Sequence, residues 1–500
     1  MRRSVLALAG LFTATLAGCT SAPPTPDPRP ESRSATASAV AAPAPLSLLV
    51  FNVEYGGSRS TDAVLADLDA DVVGVLESYN RLPEIAAAAG YPYYSVGLQI
   101  LSKYPILEPS GADGLYALIE IRPGEAVAMI NTHLDYVRDG PNRLARGVPL
   151  EEVLQTEADV RLSSLRKLLP SATRLMDLGW PVLFTGDLNE PSHLDWTAET
   201  ATSHGGWGPV DWPVSIALTD AGLLDSFREA HPDPVTEPGN TWGDVAGSGG
   251  SPRRIDYAYV GGPVDVESSE VVGETGGDGV DRGYPAWTSD HRAVLTQLSV
   301  RPAEIPTTIA LSSRLVTPGD PLTASFRLPE SAAGGTITLA GPSPSDFPVA
   351  ESSGTVLIPT DALAGGDYRV VLADAAGIVV ATNSLSVRSA NTRVELSTDA
   401  STYAVGEPVT VRWADGPANR WDWIGVYRLG TSDPTLDDYL IWGYTGGHDA
   451  GALPPSVAGD LVLGRDHQGS PWPLPPGRYR VHYLLTDQYQ SAGATDFTVR

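Results

Sequence analysis

The sequence predicts a layered α/β body followed by two all-β sandwiches, and three observations carry that expectation. Up to about residue 301, short apolar runs alternate with amphipathic helical segments. Beyond it the helical pattern gives way to alternating strands punctuated by Pro and Gly. The chain has 500 residues with 51 Gly and 43 Pro, which is too long for one ordinary domain and rich in turns.

The first element is not part of the fold. Arg2 and Arg3 precede an apolar run from Val5 to Leu16, and Leu16-Ala17-Gly18-Cys19 follows. The run is shorter than the roughly 20 residues a spanning helix needs. This N-terminus resembles a bacterial lipoprotein signal, residues 1–19, which implies that Cys19 is acylated and anchors the protein on the outer face of the cell membrane. Cys19 is the only cysteine, so intramolecular disulfides and cysteine metal sites are excluded. Residues 20–45 are rich in Pro, Ala and Ser without apolar periodicity, the pattern of a disordered tether.

The body is expected over residues 46–301. LSLLVFNV, DVVGVLE, AVAMINTHL and PVLFTGDLN read as buried strands, each ending in polar residues. Asp62 to Leu68, Leu82 to Ala89 and Glu151 to Leu169 read as helices. Residues 303–389, with TITLA, GDYRVVLAD and VVATNSLSVR, read as a first sandwich, and residues 391–500 as a second. Spans of that length with frequent turn signals fit immunoglobulin-like sandwiches without the disulfide.

The formal net charge of −27 bears on partners. Holding long nucleic acid by its phosphates takes a basic surface that releases counterions. The acidic balance disfavours such a partner and leaves room for one small phosphate at a local site.

Chemistry gathers at the strand ends, where a rigid backbone meets solvent. Asn52 ends the first strand and Glu77 the second; His133 lies in NTHLD, Asp187 and Asn189 in TGDLNE, Asp256 in RRIDY, and Asp290 with His291 in SDHRAV. Carboxylates with an amide are the oxygen donors a hard cation wants, leaving positions for water and phosphate.

In order and context these six motifs resemble the endonuclease/exonuclease/phosphatase superfamily, with further echoes in ILSKYPI at 100–106, GLLDSFREAHP at 222–232 and the Thr241-Trp242 pair. The resemblance implies a four-layer αββα sandwich (DNase I-like) and a metal-dependent phosphoester hydrolase acting by in-line attack of water, without a covalent intermediate. It assigns Glu77, Asn52 and Asp290 to the metal, Mg2+ or alternatively Mn2+ or Ca2+. It makes Asp256 and His291 a dyad that activates water, has Asp187 and Asn189 position water and phosphoryl group, and has His133 donate to a phosphate oxygen. Glu54 is a candidate auxiliary ligand, and Asp225 resembles a structural position.

Around this set, Arg138, Arg143, Arg161 and Trp196 are candidates for substrate binding, with Tyr136 in the same polar loop as the first two. Residues 193–214, with Trp196, Trp207 and Trp212, are expected to wall the site. The last domain concentrates Trp421, Trp423, Trp442, Tyr427, Tyr439 and Tyr444 and resembles a SKICH-type sandwich; the rings serve either a carbohydrate or protein ligand or the core.

The expected substrate is a small or lipid-linked phosphoester. An extracellular nuclease of the same fold is one alternative. A surface binding protein with an inactive hydrolase domain is another, against which every expected core position is occupied.

Overall fold

The first strand, Ala44–Asn52, shows how the body is layered. Successive side chains of a strand point to opposite faces, and both faces here are buried: Leu46, Leu48 and Val50 enter one core, Leu49 and Phe51 another. The strand pairs in parallel with Val72–Leu76 and antiparallel with Ala293–Val300, within a seven-stranded sheet. A second sheet contains Ile106–Pro109, Ala117–Arg122, Glu125–His133, Val182–Asp187, Asp256–Gly261 and Leu224–Asp225 in that spatial order.

The sheets meet across a core that includes Leu48, Val72, Val294, Val127, Met129, Leu183 and Ala258. Helices Arg59–Leu68 and Leu82–Ala89 cover the outer face of the first sheet, while Ser163–Asp177 and Pro213–Asp220 cover that of the second. The order of layers is helix, sheet, sheet, helix. The computed structural model behind this description covers residues 42–500 except 137, 246–247, 330, 333, 389–392, 418–420, 431–438, 446–456, 465–467, 470–471 and 486–488. The expected signal segment with Cys19, and the tether through residue 41, lie outside the described residues. Ala44 and Pro45, expected to end that tether, instead open the first strand opposite Val300 and Ser299.

Two helices differ from expectation for local reasons. The one expected from Asp62 starts at Arg59, because the Ser58 side chain accepts from the Ser60 and Thr61 N–H groups while Thr61 closes the reciprocal bond. The one expected over 151–169 is Leu150–Glu157, a π turn at Ala158–Leu162, and Ser163–Asp177. The π turn buries three consecutive residues, Val160, Arg161 and Leu162, which an uninterrupted amphipathic α-helix does not do.

A polar pin locks the two sheets. The buried Asn131 side chain donates to the carbonyls of Val75, Leu98 and Gln99 at 3.1, 3.2 and 3.0 Å and accepts from the Thr185 hydroxyl at 2.8 Å. Gly74 makes room for it: a Cβ there would lie 2.6 Å from Asn131 Oδ1 and 2.2 Å from Thr185 Oγ1. Asn131→Ala strands buried acceptors and is expected to lower unfolding free energy by about 3 kcal/mol, measured by urea denaturation.

The second sheet does not stop at the body. Strand Thr308–Leu311 pairs with Ile106–Pro109 and continues into Leu322–Arg327 and Ser353–Ile358. These face a five-stranded sheet across Ile309, Phe326, Ile337, Tyr368 and Leu385. A three-stranded and a six-stranded sheet follow, sharing a core of Val411, Trp413, Val426, Tyr479 and Phe497.

The seam buries Glu108, opposite Leu311, with its carboxylate on the Ser95 hydroxyl at 3.2 Å. Burial raises its pKa to about 7 from an ordinary 4.5, although Arg314 and Ser95 pull the other way. A carboxyl whose pKa is raised by folding contributes stability that is complete below the unfolded value and is lost as pH rises through the folded one. Glu108→Gln is therefore expected to stabilise the protein at pH 8 by on the order of 3 kcal/mol. The gain should shrink toward zero as the pH of a thermal melt is lowered to 4.5 and below.

Candidate active site

Five strands and one loop deliver their polar ends to one edge of the paired sheets. Asn52, fully buried, donates from Nδ2 to Glu77 Oε1 at 3.2 Å and to Asp187 Oδ2 at 3.1 Å. The same nitrogen lies 3.5 Å from His291 Nε2. Asp187 and Asp256 are register partners on adjacent antiparallel strands, so their side chains emerge together. His291 Nδ1 faces Asp256 Oδ2 at 2.9 Å, which fixes the tautomer and leaves Nε2 turned toward Asp187 and Asp290, each 3.8 Å away. His133 Nε2 approaches Asp187 Oδ2 to 3.5 Å from the neighbouring strand. All eight residues named from the sequence thus fall in one neighbourhood, with Asn189 at its edge, donating to the Leu134 carbonyl at 3.0 Å.

The backbone around them is unusual. Glu54, Tyr55, Glu77, Tyr79, Arg138 and Asn189 all have positive φ, 46° to 61°, a region that costs non-glycine residues energy and persists where the surroundings enforce it. The left-handed turn at Glu77 follows directly on its strand and is braced by the Gly56 N–H on the Glu77 carbonyl and the Tyr55 N–H on Oε2.

Sequence reasoning missed the braces behind this set. Ser289 donates to the Asn52 carbonyl at 2.7 Å and accepts from the His291 N–H at 3.0 Å, tying the two ends of the chain's site together. Thr241 Oγ1 accepts from the N–H groups of Ile255 and Asp256. The Trp242 indole donates to Asp290 Oδ2 at 3.2 Å, its ring lying under the Arg253 guanidinium. The Thr241-Trp242 pair is visible in the sequence; Ser289 stands in SDHRAV, but a serine before Asp-His reads as an ordinary turn and shows no role of its own.

The electrostatics are those of a cation site. Glu54, Glu77, Asp187, Asp256 and Asp290 crowd together, and Glu54 Oε2 accepts from the Asp290 N–H at 2.9 Å, beside the ligand set expected from the sequence. Burial first and then the neighbouring acids raise the pKa values of Glu54 and Asp290. Burial also pushes Asp256 up to about 6. Burial works against the His291 imidazolium, yet the Asp256 charge and hydrogen bond, with Asp187 and Asp290, outweigh it and raise His291 to about 10. A divalent cation fits this excess of hard oxygen donors. Asp187, Asp256 and His291 bring ligand atoms within 4.8 Å of one another. Asp256 is fully buried and engaged by His291, while Glu77 and Asp290 are partly open.

Several other expected residues are turned into the core or engaged elsewhere. Arg161 is fully buried and ion-paired to Glu157, so it is not offered to a substrate. Trp196 is buried, stacked on His204 with centroids 4.2 Å apart and edge-on to Trp212, in a small core with Leu144 and Val153 rather than on a wall. Arg143 is spent on Thr156 and Glu152 at 2.7 and 2.8 Å. Arg138 stays partly exposed in the loop after His133. In the last sheet Trp421, Trp423, Tyr427 and Trp442 are buried, so the aromatic concentration is chiefly core; Tyr439 and Tyr444 remain partly exposed.

A family model described as the endonuclease/exonuclease/phosphatase family matches residues 49–291. An uncharacterized protein of Caenorhabditis elegans is 31% identical over 244 residues, covering 43% of this chain and 75% of that protein. Among solved structures, an endonuclease/exonuclease/phosphatase from Beutenbergia cavernae is similar at 17% identity and a TM-score of 0.32, over 68% of this chain and 99% of that one. A mannosyl-6-phosphatase from Bacteroides thetaiotaomicron is similar at 14% identity and a TM-score of 0.31, over 51% and 99%.

Proposed function

Because the chain belongs to the endonuclease/exonuclease/phosphatase family, we propose that it hydrolyses small or lipid-linked phosphoesters, outside the cell, by in-line attack of one water on phosphorus. The N-terminal part has the DNase I-like fold, the C-terminal region is rich in β-sheets, and the protein is a metal-dependent phosphoester hydrolase. The observation that carries the finer reading is the continuous contact from Glu77 through Asn52 to Asp187 and on to the His291–Asp256 pair.

In this reading Glu77 and Asp290, with Asn52, hold Mg2+ or, alternatively, Mn2+ or Ca2+. A divalent cation bound there would draw charge from the phosphoryl oxygens and cancel part of the acidic field that keeps the proton on His291. His291 Nε2 takes the proton of the attacking water, and Asp256 steadies the imidazolium from Nδ1. Asn189 and Asp187 orient the water, while His133 donates to a phosphoryl oxygen as charge builds on it. The C-terminal sheet pairs, residues 303–389 and 391–500, are read as immunoglobulin-like and SKICH-like sandwiches, and acylated Cys19 as the membrane anchor.

The test is a substrate panel with and without EDTA: bis-p-nitrophenyl phosphate, p-nitrophenyl phosphate, sphingomyelin and plasmid DNA. Chelator-sensitive hydrolysis of the small esters with DNA left intact is expected. Turnover indifferent to EDTA would contradict the mechanism, and preferential DNA cleavage would make the protein an extracellular nuclease.

A further inference from the structure

The two most exposed aromatic side chains among the described residues both stand at the mouth of this site. Tyr55 is 63% exposed and Tyr136 is 52% exposed. Tyr55 leaves the end of the first strand with its N–H on Glu77 Oε2 at 3.2 Å, and its ring stacks on Tyr79 with centroids 6.2 Å apart. Tyr136 follows His133 by three residues.

The third member comes from the other end of the chain. The Tyr439 hydroxyl lies 3.0 Å from that of Tyr136, and the Tyr136 ring stacks on Trp442 at 6.4 Å. Tyr439 sits on strand Tyr439–Tyr444, edge-on to Trp423 at 6.1 Å, over the buried cluster of Trp423, Tyr427, Trp442 and Leu484. The C-terminal sheet therefore reaches the loop that follows His133.

We propose that Tyr55, Tyr136 and Tyr439 form a leaving-group subsite for an uncharged hydroxylated ring, a sugar esterified to a single phosphate, and that the C-terminal sheet completes it. The inference rests on the hydrolase reading above. Tyrosine offers an apolar face and a polar tip, so a row of them takes a ring with one apolar face and a hydroxyl-bearing edge. Of the two paired hydroxyls, one donates to the other, and the acceptor keeps a proton to give outward. Glu54 beside Tyr55 and Asp135 beside Tyr136 are acids outside the set given to the cation, and they disfavour a second phosphate. The buried tryptophans beneath Tyr439 hold it in place, so little side-chain entropy is lost on binding.

The sugar phosphate is either free or lipid-linked, and the test separates the two sources. Steady-state kinetics with Mg2+ compare glucose 6-phosphate, phosphatidylglucoside in phosphatidylcholine vesicles, and methyl phosphate, which has no ring. Tyr136→Ala and Tyr55→Ala should each lower the kcat/KM ratio of the sugar substrate over methyl phosphate by about tenfold, chiefly through KM. Tyr439→Phe, which keeps the ring, should lower it by about threefold. Equal losses on both substrates, or none, overturn the subsite. If the wild type hydrolyses none of them, the hydrolase reading of these substrates fails instead, and calorimetric binding of glucose 6-phosphate to wild type and Tyr136→Ala still decides the subsite: an unchanged or undetectable affinity overturns it.

Discussion

Glu77→Gln is expected to lower kcat for phosphodiester hydrolysis by about a thousandfold or more while leaving the fold intact. The amide keeps the shape of the side chain and an oxygen that can still accept from Asn52 Nδ2, which sits 3.2 Å from Oε1 in the wild type. What it loses is the charge that draws a cation to the strand end. Removing one carboxylate from a crowd that includes Glu54 and Asp290 also relieves repulsion, so thermal stability without added metal should be equal or slightly higher. A loss of activity at unchanged melting temperature supports a cation-binding role; a loss that tracks unfolding refutes it.

The second large effect concerns the dyad. His291→Ala removes the group that accepts the proton of water and should cost about 10³- to 10⁴-fold in kcat, within the range of positioned proton transfer. Asp256→Asn keeps the space but loses the charge facing Nδ1 at 2.9 Å and should cost about 10²- to 10³-fold. Because the carboxylate acts only through the imidazole, the double variant should be no slower than His291→Ala alone. Additive losses would show that Asp256 has a separate task, such as holding the cation with Asp187.

Much of this arrangement was legible in the sequence because the strands are buried on both faces and read as near-continuous apolar runs. Their ends then announced the polar residues, and Asn52, Glu77, His133, Asp187, Asp256 and His291 are found in contact or near contact. The errors share one cause. A sequence shows which residues carry charge or rings, and only packing shows which way they turn. Arg161 is a candidate for substrate binding in the sequence, and the π turn carries it inward to Glu157. Trp196 was placed on a wall, and it closes a small core with Trp212. Tyr439, 303 residues from Tyr136, could not be joined to the site by any local pattern. Helix boundaries slipped where Ser58 supplied a cap ahead of the apolar period.

A divalent cation at the Glu77 strand end is expected to make this cluster a hydrolase. This is tested most directly by titrating Mg2+ into chelator-stripped protein, following heat of binding and bis-p-nitrophenyl phosphate turnover on the same preparation. The two curves should rise together with one midpoint, and both should vanish in Glu77→Gln. Full turnover before any cation is added, or binding and activity that survive in the variant, would contradict the account.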